Sequence, residues 1–302
     1  MRFNIPQDLF GIVFVFLNFY DKHMFRRMDK YATNIQVTNF YNVDSKYLTR
    51  LSDDILVNYK NIKKLKILCY QNVSILLNLT KLTALELPQF FKTNNIKKLT
   101  NLNELKLFNN LMISDLNCLT NLTYLDASGP HCCVDDNGLY NLTNLIFLCV
   151  DGNHRITNVN HMTKLKYFSA SGTCGIDNIG MQKLIGLKFL TMSDNKKISS
   201  INHMTKLLCL DASGYSCMLN DKGIEKITNL KMINLTNNLE IANINHLKKL
   251  KTVVLSGICA IGDEGIKDLV DLEKIYAKGN VKITNINHMT KLKKVSLNTY
   301  MS

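Results

Sequence analysis

Leu102-Asn103-Glu104-Leu105-Lys106-Leu107-Phe108-Asn109-Asn110 decides the fold. Its leucines stand at the first, fourth and sixth places, with asparagine at the ninth. The same opening returns at Ile62, Leu82, Leu102, Leu122, Leu145, Leu165, Leu187, Leu207, Leu230, Leu250, Leu272 and Leu292. Successive openings are 20, 20, 20, 23, 20, 22, 20, 23, 20, 22 and 20 residues apart. Twelve units in register do not arise by chance, and an internal period of this length means a solenoid.

Strand geometry turns the spacing into structure. Successive side chains on a strand point to opposite faces, so Leu105 and Leu107 face inward while Lys106 faces out. One unit alone cannot bury its apolar side, so neighbours stack into a continuous core. From Leu102 onward the units beginning at 102, 145, 187, 230 and 272 end on Asn110, Asn153, Asn195, Asn238 and Asn280. A buried asparagine there can satisfy backbone groups as the chain leaves the strand. The intervening units end on Ser-Gly instead, as at Ser128-Gly129 and Ser213-Gly214, and have longer returns. Asp221–Ile227 and Asp263–Leu269 are expected to be short helices, each opened by a capping aspartate.

The pattern Leu-x-x-Leu-x-Leu-x-x-Asn resembles that of the leucine-rich-repeat family, over residues ~40–302. The expected fold is α/β: a solenoid with a parallel concave sheet, short helices and irregular returns on the convex face, and an N-terminal helical segment. Residues 62–302 would form about twelve units, 36–61 a first irregular or capping repeat, and 1–35 a helical unit outside the pattern.

Two ladders imitate chemistry. His161, His203, His246 and His288 recur every second unit, roughly 10 Å apart if strands are spaced by ~4.8 Å. A zinc ion needs its nitrogens within about 4 Å of one another, so the ladder is structural and no metal is expected. Cys132, Cys174, Cys217 and Cys259 follow the same spacing, which forbids disulfides between them. They read as small buried side chains. Cys132-Cys133 is vicinal, but no Gly-rich phosphate loop and no nucleophile–base pairing stands out. Neither an enzyme nor a cofactor is expected.

Nine cysteines, an odd number with no Cys-x-x-Cys, point to a reducing compartment, cytoplasm or nucleus, and not to secretion. On that reading the glycosylation-like Asn78, Asn121 and Asn141 are by-products of the repeat. Net charge is +13, with Lys+Arg 37 against Asp+Glu 24. Asp126, Asp151, Asp194 and Asp211 stand against Lys166, Lys188, Lys231 and Lys251 near the strands. Mixed signs favour a protein ligand over a nucleic acid.

The expected partner face is the concave sheet. Its central column includes Asp126, Ser169, Thr191, Asp211, Asn234 and Tyr276. Two residues after each opening runs a second column, in which Tyr124, Phe147, Tyr167, Phe189, Cys209 and Met232 form a six-unit apolar stripe, four of its members aromatic. Exposed stripes of this kind mark partner sites. The competing reading tucks the stripe under the sheet edge as core.

Residues 1–35 carry a different pattern. Leu9, Val13, Phe16 and Leu17 share one helical face, and Met24 and Phe25 lie on that of a second helix. Ile5-Pro6, Asp8, Val13-Phe14-Val15-Phe16-Leu17, Asp21 and Lys30 resemble an F-box, although Ala32 stands where that family has Trp and Asp29 where it has Cys. The resemblance implies docking to a ubiquitin-ligase adaptor through Ile5, Pro6, Leu9, Val13, Phe14, Phe16, Leu17, Met24 and Phe25. The chain would then be the substrate receptor of a cullin–RING ligase. A plain cap on the first repeat is the alternative. The apolar run Leu9–Tyr20 falls short of the roughly 20 residues of a membrane span.

Overall fold

The computed structural model describes residues 39–40, 61–67, 79–91 and 96–297. Among the described residues thirteen strands form one sheet in strict sequence order. A two-residue strand β1 (Asn39–Phe40) pairs with β2 (Lys64–Lys66). Then follow β3 (Ala84–Glu86), β4 (Glu104–Lys106), β5 (Tyr124–Asp126), β6 (Phe147–Cys149), β7 (Tyr167–Ser169) and β8 (Phe189–Thr191). The sheet ends in β9 (Cys209–Asp211), β10 (Met232–Asn234), β11 (Thr252–Val254), β12 (Lys274–Tyr276) and β13 (Lys294–Ser296). Every pairing is parallel and in register, with the residue three places after each opening aligned to its equivalents (Leu105↔Leu125, Phe168↔Leu190, Ile233↔Val253). Order and register follow from the repeat: each unit can reach only its neighbours.

The core is one continuous ladder. Leu102, Leu105 and Leu107 are buried, as are Leu145, Leu148 and Val150 and the equivalents in the other units up to Leu272, Ile275 and Ala277, whereas in the last unit Leu292 and Leu297 are partly buried and Val295 is exposed. The residues on either side of each inward strand position face outward, giving the buried-between-accessible pattern of β4 through β9.

Asn110, Asn153, Asn195, Asn238 and Asn280 are buried, and each bonds backbone of its own unit and the one before. Asn195 Nδ2 donates to the carbonyl of Ala170 (2.8 Å), while its Oδ1 accepts from the N–H groups of Lys197 (2.8 Å) and Ile198 (2.9 Å). Asn238 repeats this with Ala212 (2.8 Å), Glu240 (2.9 Å) and Ile241 (2.9 Å). A core bend with no strand partners is thereby satisfied.

The longer returns are less helical than expected. An α-helical turn α1 spans Asp136–Leu139 and a second, α2, spans Asp221–Ile224. Asp263–Gly265 is a 3₁₀ turn, and the equivalent stretch near 177–183 contains turns only. The capping expectation is corrected too. Asn220, not Asp221, caps α2 by accepting from the Gly223 N–H (3.1 Å), and the 3₁₀ turn follows Gly262 with no side-chain cap. Asp221 and Asp263 instead reach the following unit. Asp221 Oδ1 accepts from the N–H groups of Ala242 (2.9 Å) and Asn243 (3.1 Å); Asp263 Oδ1 accepts from those of Thr284 (2.8 Å) and Asn285 (3.1 Å). These aspartates tie unit to unit.

The helical segment expected over 1–35, and all but three residues of the capping repeat expected over 36–61, lie outside the described residues.

Candidate functional site: the concave sheet

The outward strand positions line the concave face in columns. Tyr124, Phe147 and Phe189 are partly accessible, while Tyr167 and Met232 are each 42% exposed. The stripe faces solvent, which overturns its reading as core. Parallel strands in perfect register force the rings together. Tyr124 and Phe147 stack at 4.2 Å with planes 2° apart, and Tyr167 and Phe189 at 4.5 Å and 10°. Between the two pairs the centroids open to 6.5 Å and the planes tilt by 32°. Their edges thus form one apolar ridge across β5 to β8. Cys209 and Met232 continue it onto β9 and β10.

The Lys106 ammonium lies 5.6 Å from the Tyr124 ring centroid at one end of the ridge. Burial, and then the charges of Asp126 and Glu104, push the Tyr124 hydroxyl up to about 12, so it stays neutral and can donate a hydrogen bond. Tyr276 sits apart on β12, with Lys294 Nζ 5.5 Å from its ring centroid.

The central column is a hydrogen-bonded polar strip. Asp151 accepts from the Ser169 hydroxyl (2.7 Å) and the Ser171 N–H (2.7 Å). Asp211 accepts from the hydroxyls of Ser193 (3.0 Å) and Ser213 (2.6 Å) and from Asn234 Nδ2 (2.9 Å). Asp126 accepts from the Ser128 N–H (3.0 Å) and from its hydroxyl. Thr191 lies outward between Ser169 and Asp211, in register with both. Of these serines only Ser169 was anticipated, yet a signal for others existed: Asp126-Ala127-Ser128, Asp211-Ala212-Ser213 and Asn234-Leu235-Thr236 repeat one acceptor–donor spacing.

The ladders that imitate chemistry are bound into the frame. His161, His203 and His246 each place Nε2 at 3.0, 3.1 and 3.0 Å from the carbonyls of Leu139, Met181 and Ile224, one unit back. Cys132, Cys174, Cys217 and Cys259 are buried and free. Burial pushes the thiols of Cys132, Cys174 and Cys217 up to about 11. Among the described residues no group of His, Cys, Asp or Glu could hold a metal ion. Nor is any helix there long and apolar enough to cross a membrane.

Charges that are mixed along the sequence separate in space. Lys166, Lys188, Lys231 and Lys251 immediately precede β7, β8, β10 and β11, whereas Asp126, Asp151, Asp194 and Asp211 end or follow their strands. Because the strands are parallel, the two signs fall on opposite edges of the sheet.

No protein-family model matches the chain, and no curated protein sequence does. Solved structures do. The crystal structure of an internalin (inlF) from Listeria monocytogenes superposes with a TM-score of 0.56 at 24% identity, over 79% of this chain and 81% of that one. The fold is the leucine-rich-repeat solenoid. The functional domain of InlJ from Listeria monocytogenes, which includes a cysteine ladder, matches with a TM-score of 0.51 at 18% identity, over 80% of this chain and 59% of that one. The TLR13–ssRNA13 complex gives 0.55 at 16% identity, over 80% of this chain and 37% of that one.

Proposed function

We propose that this chain is a protein-binding repeat scaffold that holds its partner on the concave sheet. One observation carries the reading: the aromatic ridge of Tyr124, Phe147, Tyr167 and Phe189 is outward-facing and pre-stacked. A packed stack loses little rotamer freedom on binding, and partly desolvated aromatics are the usual anchors of an interface. The polar strip of Asp126, Ser169, Thr191, Asp211 and Asn234 beside it supplies hydrogen bonds that fix orientation. A photo-crosslinking phenylalanine analogue at position 189 should capture one dominant protein from the native cell. The same group at Ile179, exposed on the convex side, should not. Equal capture at both positions would contradict the reading.

The finer reading makes that scaffold the substrate receptor of a cullin–RING ubiquitin ligase, working in the cytoplasm or nucleus. It rests on the F-box-like residues Ile5-Pro6, Asp8, Val13–Leu17 and Asp21. The N-terminal segment would dock on the adaptor while the sheet holds the substrate, and catalysis would follow from proximity alone. Full-length protein should co-precipitate with the adaptor, and Pro6→Ala with Phe14→Ala should weaken this at least ~10-fold, about 1.4 kcal/mol. No adaptor binding by the wild type would leave a scaffold without a ligase.

A further inference from the structure

The edge of the sheet where the strands begin carries a dense row of lysines. The segments His161–Lys166, Met181–Lys188, Met204–Leu208, Glu225–Lys231 and His246–Lys251 lead into β7, β8, β9, β10 and β11. Together they hold ten lysines and one acidic residue, Glu225. Parallel strands bring all five to the same edge. The segments leaving the same strands are nearly neutral, so the imbalance belongs to one edge and not to the composition at large.

Most of this charge is unneutralised. Among the ten, only Lys248 and Lys251 form ion pairs, with Asp268 (3.0 Å) and Glu273 (3.6 Å). Lys164 and Lys249 donate to the neutral side-chain oxygens of Asn144 and Asn229 (both 2.6 Å), which hold the ammonium groups in line without cancelling them. Lys183, Lys188, Lys206, Lys226 and Lys231 are exposed.

We propose that this edge is a docking track for the phosphate backbone of a nucleic-acid duplex. It is a surface separate from the concave ridge. The argument is charge density. Five strands span four steps of ~4.8 Å, or ~19 Å, so the eight lysines outside ion pairs, less Glu225, leave roughly one net positive charge per ~2.7 Å. Duplex DNA carries one negative charge per ~1.7 Å of its axis. The segments contain lysine and no arginine, which suits diffuse contact with phosphates and not bidentate reading of base edges. A lipid surface would call for apolar side chains projecting between the lysines. These segments expose one large apolar residue, Ile185. Mixed signs along the sequence argued against nucleic acid; their separation onto two edges removes that argument.

The test uses the full chain and a fluorescein-labelled 30-base-pair duplex of arbitrary sequence, titrated by anisotropy between 50 and 200 mM salt. Binding should be independent of sequence, with log K falling against log salt more steeply than about −3, at about −0.9 per phosphate contacted. Lys188→Glu, Lys206→Glu and Lys231→Glu together should weaken it at least tenfold. Lys196→Glu, Lys197→Glu and Lys222→Glu, an equal charge change in the segments leaving the strands, should weaken it less than threefold. Melting confirms that both variants are folded. Equal losses in the two variants, or no binding at 50 mM salt, would overturn the proposal. So would equally tight binding to poly-glutamate, or binding to phosphatidylserine vesicles but not to duplex.

Discussion

Gly214 and Gly172 occupy the same place two units apart, and both have left-handed backbone, φ +98° and +65°. A Cβ at Gly214 would lie 2.3 Å from Cγ of Asp194, whose Oδ1 accepts from the Ser216 N–H (3.0 Å). At Gly172 a Cβ would meet nothing within 4 Å, because the preceding unit has Gly152 where Asp194 stands in its own. Gly172→Ala should therefore cost only the left-handed penalty, about 1–2 kcal/mol. Gly214→Ala should cost that and at least ~1 kcal/mol more, as the aspartate is displaced from its bond. Chemical denaturation of the two variants measures the difference. Equal costs would mean that the close approach of unit to unit is not what selects glycine at 214.

At the level of elements, the inward and outward positions of the strands were legible from the 20- to 23-residue period, since period-2 alternation leaves no other face for the leucines. So were the buried asparagines. The caps were not. Asn220 and Asp221 are adjacent and both suit a helix start. Which one caps, and which reaches Ala242 and Asn243 of the next unit, depends on where the neighbouring backbone lies. The concave stripe was legible as a column, but whether it faced water depended on sheet geometry. The cysteine ladder tests the burial of these elements directly. With thiols pushed up to about 11, Cys132, Cys174 and Cys217 hold on the order of 0.1% thiolate at pH 8 and are screened from reagent. Native protein treated with iodoacetamide at pH 8 should be modified at exposed Cys118 well before these three. Fast labelling of Cys174 would mean that the returns do not close over the core.

The whole molecule is a stack in which no unit closes its own core, so a core defect propagates while a defect on the sheet's outer face stays local. Leu190 is buried and Thr191 beside it faces out. Leu190→Asp should cost several kcal/mol for an unpaired buried charge, comparable with the 5–15 kcal/mol of a typical domain. Charge separation also exists only at this scale: lysines that come one to three per segment in the sequence become a continuous edge once five parallel strands are aligned. The central claim is that the ridge serves a partner and not the fold. Its most direct measurement is a paired determination of melting temperature and partner affinity for Tyr167→Ala with Phe189→Ala, beside Leu190→Asp. The partner is the protein captured through position 189. The account predicts that the double variant melts within a few degrees of the wild type but binds at least tenfold more weakly, while Leu190→Asp unfolds. A double variant that melts as low as Leu190→Asp, or one that keeps full affinity, would contradict it.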